Sequence, residues 1–165
     1  MPEDQANLEV GAVRQIPVPP SAQVLSDLPR VDYADAFVVD PAPTDRLTAE
    51  QWARTVLEQA PLGVRHMLRA GWLALGLKLD AAPADRSMLG WEIRRSTPEL
   101  VLLGADSRLG LAGELLFRRE PRSFLFCTFV HQENQLGHAT WIGVEAAHIG
   151  VVRRMLNQAI ERCSR

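Results

Sequence analysis

The stretch that decides the fold is residues 123–163, which reads SFLFCTFVHQENQLGHATWIGVEAAHIGVVRRMLNQAIERC. Residues 123–132 are mostly apolar and aromatic, which is typical of a buried β-strand, and the remainder has helical periodicity. The side chains that recur at three- and four-residue steps, and so share one stripe of the helix, are Trp141, Val144, His148, Val151, Val152, Met155, Ala159 and Cys163. The pattern predicts a strand leading into a long amphipathic helix whose apolar stripe carries one histidine.

Composition indicates an ordinary globular domain. The chain has 165 residues, of which 47% are hydrophobic and 23% charged, enough for one domain with a substantial core. Its 18 basic and 20 acidic side chains give a formal charge of −2, which offers no general field for nucleic acid or anionic lipid. The longest apolar stretch, residues 70–77, is too short to span a bilayer. We therefore expect no nucleic-acid partner and no membrane span.

The N-terminus and the cysteines indicate a reducing compartment. The first residues, MPEDQANLEV, are acidic and lack the basic start and apolar run of a secretory signal. Cys127 lies in the apolar strand and Cys163 near the end of the last helix, without metal-type spacing or a short disulfide framework. We interpret both as reduced packing residues and expect a cytoplasmic setting.

The N-terminal segment differs from the rest of the chain in its proline content. Prolines remove backbone donors and bias the preceding residue toward extended geometry, and this segment holds Pro2, Pro17, Pro19, Pro20 and Pro29. We divide the chain into an N-terminal arm, residues 1–30, and a single domain, residues 31–165. The arm is predicted to lie outside the core, either flexible or laid along the domain.

The middle of the chain predicts one strand and two helices. Residues 31–40 form the first predicted strand, which ends at Pro41. Thr48 and Gln51 have the spacing of a capping box, flanked by the hydrophobic staple pair Leu47 and Trp52. A second helix is predicted to open at Pro61. Its apolar stripe consists of Val64, Met67, Leu68, Gly71, Trp72 and Leu75.

Residues 88–132 predict four strands. Leu89, Trp91 and Ile93 alternate with polar residues, and further along the chain apolar side chains alternate around Gly113, opposite Ala112 and Glu114. Short connections between consecutive strands predict antiparallel pairing. The order of strand, helix, helix, four strands and long helix predicts an α+β domain.

Short motifs resemble a known family. They are Asp32-Tyr33-Ala34-Asp35-Ala36-Phe37, Leu89-Gly90-Trp91, Ala105-Asp106-Ser107, Thr128-Phe129, and Asn134-Gln135-Leu136-Gly137 through Trp141 to His148. In these motifs the chain resembles an uncharacterised bacterial domain family of the START, polyketide-cyclase and pollen-allergen-like (helix-grip, SRPBCC) superfamily, a module also appended to NAD-dependent epimerase-like proteins. The resemblance implies a helix-grip fold, in which a curved antiparallel sheet wraps the C-terminal helix and two short helices follow the first strand. It implies no catalytic residue.

Candidate functional residues lie where the long helix meets the sheet. His148 is the candidate acid or base, and the alternative is a core histidine bonded to a carbonyl or a carboxylate. The candidate ligand-binding residues are Trp72, Trp91, Trp141, Val144 and His148. For Trp91 and Trp141 the alternatives are core packing and a cavity wall, where a ligand would accept a hydrogen bond from each indole N–H.

Other polar residues are interpreted as structural. Asp32 and Asp35 fall on opposite faces of a strand, so they do not form a catalytic carboxylate pair. His131 and His138, at the strand-to-helix junction, are expected to be solvated, and His66 is expected on the surface. No nucleophile elbow, phosphate loop or metal-ligand spacing occurs. We therefore expect neither a metal nor a cofactor.

Three functions remain open from the sequence. In the first, the domain binds a small hydrophobic or amphipathic molecule between the sheet and the C-terminal helix. The second is an enzyme, a cyclase, dehydratase or isomerase of a hydrophobic substrate, with His148 as acid or base. The third is a non-catalytic interaction module with a filled core, which self-associates through a sheet edge or the N-terminal arm. A cavity lined by His148 would favour the first two, and a packed interior the third.

Overall fold

The computed structural model describes residues 11–165 and contains one antiparallel sheet with a long C-terminal helix. The sheet has seven strands in the order β1-β2-β7-β6-β5-β4-β3. The strands are β1 (Ala12–Ile16), β2 (Tyr33–Asp40), β3 (Ser87–Met88), β4 (Trp91–Ser96), β5 (Leu100–Ala105), β6 (Leu111–Arg119) and β7 (Phe124–Gln132). The predicted α+β class is confirmed, and the arrangement is consistent with a helix grip. The sequence MPEDQANLEV, on which the secretory-signal expectation rests, lies outside the described residues.

The helices are α1 (Pro20–Gln23), α2 (Ala49–Leu57), α3 (Leu62–Ala74) and α4 (Gln135–Cys163). At the start of α2 the predicted capping box is present: the Gln51 amide donates to Thr48 Oγ1 at 3.2 Å, and the Thr48 amide donates to Gln51 Oε1 at 2.8 Å. Asn134 caps α4, since its Oδ1 accepts from the Gly137 amide at 2.8 Å. Among residues 11–165, no helix is long and apolar enough to cross a membrane.

The main core lies between the sheet and helices α2 and α4. Trp52 of α2 is fully buried and stacks on Phe124 of β7, with ring centroids 4.8 Å apart. The C-terminal half of α4 contributes Val152, Met155, Leu156, Ala159 and Ile160 to this core. The predicted apolar stripe therefore faces the sheet along this half of the helix.

The N-terminal arm is part of the fold over its described length, residues 11–30. β1 pairs with β2 in antiparallel register, with Val13 opposite Val39, and Ala22 is fully buried. Of the two arrangements predicted for the arm, its described part has the second, laid along the domain, and it also contributes Ala22 to a core, which was not expected. The physical reason is that the second face of the sheet is also apolar, through Leu102, Leu116 and Leu125, and the arm covers it.

Glu114 of β6 holds the arm in place. The alternation of the strand places it on the face opposite the large apolar side chains, yet it is 0% exposed. Its carboxylate accepts hydrogen bonds from the Ser26 hydroxyl and from the amides of Asp27, at 3.0 Å, and Leu28, at 3.2 Å. A buried carboxylate has to be hydrogen-bonded in this way, so Glu114 connects the sheet to residues 26–28.

Replacing Glu114 by Ala should destabilise the protein by about 3 kcal/mol, because the change strands several buried donors of the arm. Urea unfolding followed by circular dichroism measures the loss. The exposed Glu92, on β4 of the same sheet, supplies the control: Glu92→Ala should change the free energy of unfolding by no more than about 0.5 kcal/mol. Equal effects of the two substitutions would contradict the role given to Glu114.

The two cysteines are free, and Cys127 should be chemically silent in the folded protein. Burial raises the pKa of the Cys127 thiol to about 12, and the side chain is 0% exposed. Since the thiolate is the reacting species, iodoacetamide at about pH 8 should label Cys127 only after unfolding in urea. Peptide mapping of the labelled protein would show this, and labelling of Cys127 at the same rate with and without urea would contradict it.

Candidate functional site

A cavity of about 290 Å³ lies between the sheet, α3 and the N-terminal half of α4, and it is partly open to solvent. Helix α3 contributes its apolar stripe to the wall of the cavity. The stripe residues that line the cavity are Met67, Leu68, Gly71, Trp72 and Leu75. From α4 the lining residues are Trp141, Val144, Ala147, His148 and Val151. From the sheet they include Trp91, Leu111, Gly113, Leu115, Thr128 and Val130.

Helix α3 is only weakly buried where it borders the cavity. Leu68 is the only side chain of this helix that is buried, and Met67 is 48% exposed. The helix is anchored instead by Arg69, which donates to Asp80 Oδ2 at 2.6 Å and to the Leu89 carbonyl at 3.2 Å. The hydrogen bond from Arg69 also holds the pKa of Asp80 below its usual range.

Aromatic rings form much of the wall. The Trp72 and Trp91 rings meet edge to face, with centroids 5.4 Å apart and an interplanar angle of 88°. The Trp141 ring lies 4.8 Å from the ring of Tyr33 and 5.1 Å from that of His148. Gly113 leaves room for the Trp91 ring, since a Cβ there would lie 3.3 Å from Trp91 Cη2.

The indole nitrogens of Trp91 and Trp141 are buried, although both residues line the cavity. Neither Nε1 atom has a hydrogen-bond partner within residues 11–165. That a ligand accepts a hydrogen bond from these groups stays a prediction. The tryptophans contribute apolar ring surface to the wall.

The polar part of the wall is His148, which is bonded to the sheet. Its Nε2 lies 3.0 Å from Asp35 Oδ2 and 3.1 Å from Thr128 Oγ1. Asp35 of β2 and Thr128 of β7 are direct partners across the two strands. The Tyr33 hydroxyl donates to the same Asp35 oxygen at 2.8 Å. A carboxylate that holds one nitrogen of an imidazole fixes the ring orientation and leaves the other nitrogen for chemistry.

Tyr33 remains a neutral donor in this group. Burial raises the pKa of Tyr33 well above its usual range, and the hydrogen bond to Asp35 and the negative charge of Asp35 raise it further. Its hydroxyl therefore keeps its proton at neutral pH and donates it to Asp35. The Asp35 side chain is 2% exposed, so this carboxylate lies behind the cavity wall, to which His148 and Thr128 belong.

All the residues proposed for ligand contact from the sequence, Trp72, Trp91, Trp141, Val144 and His148, lie on the cavity wall. The structure thus gives His148 both features considered for it, since it is bonded to a carboxylate and also faces the cavity. Trp52, in contrast, only fills the core.

Sequence reasoning did not identify Asp35, Tyr33 and Thr128 as partners of His148. The sequence relates Asp35 to Asp32 only as a possible carboxylate pair. Asp32 lies before β2, does not contact His148, and accepts a hydrogen bond from the Gln132 amide at 2.7 Å. The available signal was the position of Asp35, which alternates with Tyr33 and Phe37 on one face of the strand. A carboxylate on an otherwise apolar face requires a buried partner.

The remaining histidines take no part in the site. His138 and His66 are exposed, while His131 Nδ1 lies 3.1 Å from Asp32 Oδ2 at the end of the sheet. Over residues 11–165, no group of three His, Cys, Asp or Glu side chains is placed to hold a metal ion.

Comparison of the chain with protein-family models, with curated proteins and with solved structures gave no match.

Tyr33 is the only tyrosine in the chain, so its ionisation can be followed directly by tyrosinate absorbance. With its pKa raised, the folded protein should show no tyrosinate at about pH 10, where the unfolded chain is half ionised. A folded-state pKa above the unfolded one stabilises the protein below about pH 10, and this contribution declines as the pH rises further. Half-ionisation near pH 10 in the folded protein would contradict the burial of Tyr33.

Asp35→Asn tests the contribution of Asp35 to the raised pKa of Tyr33. Removing the negative charge should move the alkaline rise in tyrosinate absorbance to lower pH, though burial keeps it above the value of the unfolded chain. Asp32→Asn is the matched control, since Asp32 does not contact the Tyr33 hydroxyl, and it should leave the rise unchanged.

Proposed function

We propose that this protein binds a small, largely apolar molecule in the cavity between the sheet and α4, without a metal or a cofactor. The observation that carries the proposal is the cavity itself, about 290 Å³ of space lined almost wholly by apolar side chains. Apolar clefts with a few convergent polar groups are the usual form of small-molecule sites. A core that had only to be filled would not leave this space open.

The size of the cavity limits the ligand. A cavity of about 150 Å³ holds benzene, so the present one suits a molecule of about two fused rings or a short branched chain. The exposed Met67 and the weakly buried α3 lie where such a molecule would enter, because they form the wall nearest solvent.

Membership of the helix-grip superfamily is part of the proposal. It is supported by the sequence motifs and by an architecture in which two helices, α2 and α3, follow a strand and a long helix packs on an antiparallel sheet. A cytoplasmic setting is supported by the two free cysteines. The charge balance gives no support for a nucleic-acid partner.

Acid–base catalysis on a hydrophobic substrate is the second candidate, favoured by the contact between His148 and the buried Asp35. A carboxylate on one imidazole nitrogen is the usual way to orient a general base. The reaction classes that fit are cyclisation, dehydration and isomerisation, in which a proton leaves one atom of the substrate and returns to another. The third possibility, a filled-core interaction module, is disfavoured by the open cavity.

Binding can be tested with naphthalene as the probe, by isothermal titration calorimetry. The unmodified protein should bind it, and Val144→Phe should weaken binding by about tenfold, because the added ring occupies the cavity. Ala146→Phe adds the same ring on an exposed position of the same helix and should leave the affinity unchanged. Absence of binding by the unmodified protein, or equal loss in both variants, would contradict the proposal.

Native mass spectrometry of the protein purified from its own host identifies the ligand class. A co-purifying small molecule should be present in the unmodified protein and depleted in Val144→Phe. If a substrate is found in this way, the catalytic candidate predicts that His148→Gln abolishes turnover, whereas a binding protein would lose only part of its affinity.

A further inference from the structure

Asp35 determines which proton His148 carries. A carboxylate only accepts hydrogen bonds, and Asp35 Oδ2 already receives the Tyr33 hydroxyl at 2.8 Å. The imidazole Nε2, 3.0 Å from the same oxygen, must therefore be protonated to bond with it. Thr128 Oγ1, 3.1 Å from Nε2, is a second acceptor for that proton. In the neutral ring this leaves the lone pair on Nδ1.

Nδ1 is the nitrogen left for a ligand. It has no hydrogen-bond partner in the part of the chain described, residues 11–165, and it is not among the side-chain atoms sealed from solvent. The imidazole itself belongs to the cavity wall. In the neutral ring, His148 therefore offers the cavity a hydrogen-bond acceptor, the Nδ1 atom. A ligand group that bonds to Nδ1 has to be a hydrogen-bond donor.

The wall provides nothing to neutralise a charged ligand. No Arg or Lys lines the cavity within the described residues. Asp35 Oδ2 is bonded to His148 and Tyr33, and Asp35 Oδ1 is buried without a partner among residues 11–165. An anion would lose its hydration next to a buried carboxylate, at a large cost in free energy. A cation would lose its hydration without gaining direct contact with Asp35.

The shape of the wall selects a flat molecule. Trp72, Trp91 and Trp141 all line the cavity, and the Trp72 and Trp91 rings lie at 88° to each other. Aromatic rings favour other aromatic rings as neighbours, in offset-stacked or edge-to-face arrangements.

We infer, resting on the binding function proposed above, that the ligand is an uncharged aromatic or otherwise flat molecule whose polar group donates a hydrogen bond to His148 Nδ1. Hydroxyl and N–H groups satisfy this requirement, while ethers, ketones and carboxylates do not. Asp35 acts as a positioning residue, since it orients the imidazole and does not line the cavity, whereas Thr128 both contacts the imidazole and lines the cavity.

The test compares four probes of one shape by calorimetry: naphthalene, 2-naphthol, 2-methoxynaphthalene and 2-naphthoate. We expect 2-naphthol to bind about 5- to 10-fold more tightly than 2-methoxynaphthalene, the ratio for one neutral hydrogen bond. We expect 2-naphthoate to bind more weakly than naphthalene. The variant His148→Gln keeps an amide N–H for Asp35 but presents no fixed acceptor, so it should reduce the naphthol preference to about twofold or less while naphthalene affinity is retained.

His138→Gln is the matched control, because His138 is exposed on the same helix and does not line the cavity. It should leave the naphthol preference intact. Asp35→Asn is the positioning variant: it should weaken the preference without removing naphthalene binding, since the tautomer is no longer imposed.

The outcomes separate the two proposals. If naphthalene binds but 2-naphthol gains nothing over 2-methoxynaphthalene, or if 2-naphthoate binds most tightly, the donor rule is overturned and the binding function stands. Binding of none of the four probes overturns both. The comparison in the unmodified protein is decisive by itself, so the test does not depend on the folding of any variant.

Discussion

The structure depends on how α4 packs against the sheet along only part of its length. Over its C-terminal half, Val152, Met155 and Leu156 fill the space between the helix, α2 and the strands. Fully buried side chains of this kind each contribute about 1.5–3 kcal/mol, so this half fixes the helix in place. Over its N-terminal half the helix borders the cavity, whose other walls are α3 and the sheet. The cavity follows from this difference.

The sheet needs cover on both faces. Its strands are apolar both on the side of the helices and on the opposite side. Antiparallel sheets more commonly have one apolar face and one solvated face. The N-terminal arm supplies the second cover, held by the hydrogen bonds that Glu114 accepts. Since both faces of the sheet are then fixed, β2 and β7 present Asp35 and Thr128 to His148 in a defined geometry. A polar group set in a rigid, apolar surrounding is the form that ligand selection requires.

Much of the fold was predictable from the sequence because local rules decide it. The capping box at Thr48 starts α2, the proline at position 61 precedes α3, and period-two alternation marks the strands. The stripe from Trp141 to Cys163 correctly predicted the helix that faces the sheet. The residues proposed for ligand contact could be recognised as cavity-facing because they lie on these same periodic faces.

What was missed depends on contacts between distant segments. β1 was not predicted because prolines follow it closely in the sequence. Its partner β2 is separated from it along the chain by helix α1. Glu114 looks like a solvated residue until the arm covers it. The pairing of Asp35 with His148 joins residues 113 positions apart, a separation that periodicity cannot reveal. The openness of the cavity was also unpredictable, because the composition of the α3 stripe does not reveal that Leu68 is the only buried side chain of this helix.

Methyl-directed NMR of the protein with naphthalene bound tests the central claim most directly. If the space between α4 and the sheet is the binding site, intermolecular Overhauser effects should connect the naphthalene protons with the methyl groups of Val144, Val151 and Leu68. Effects confined to the exposed methyl groups of Leu62 and Ile142, with none to the cavity wall, would contradict the account.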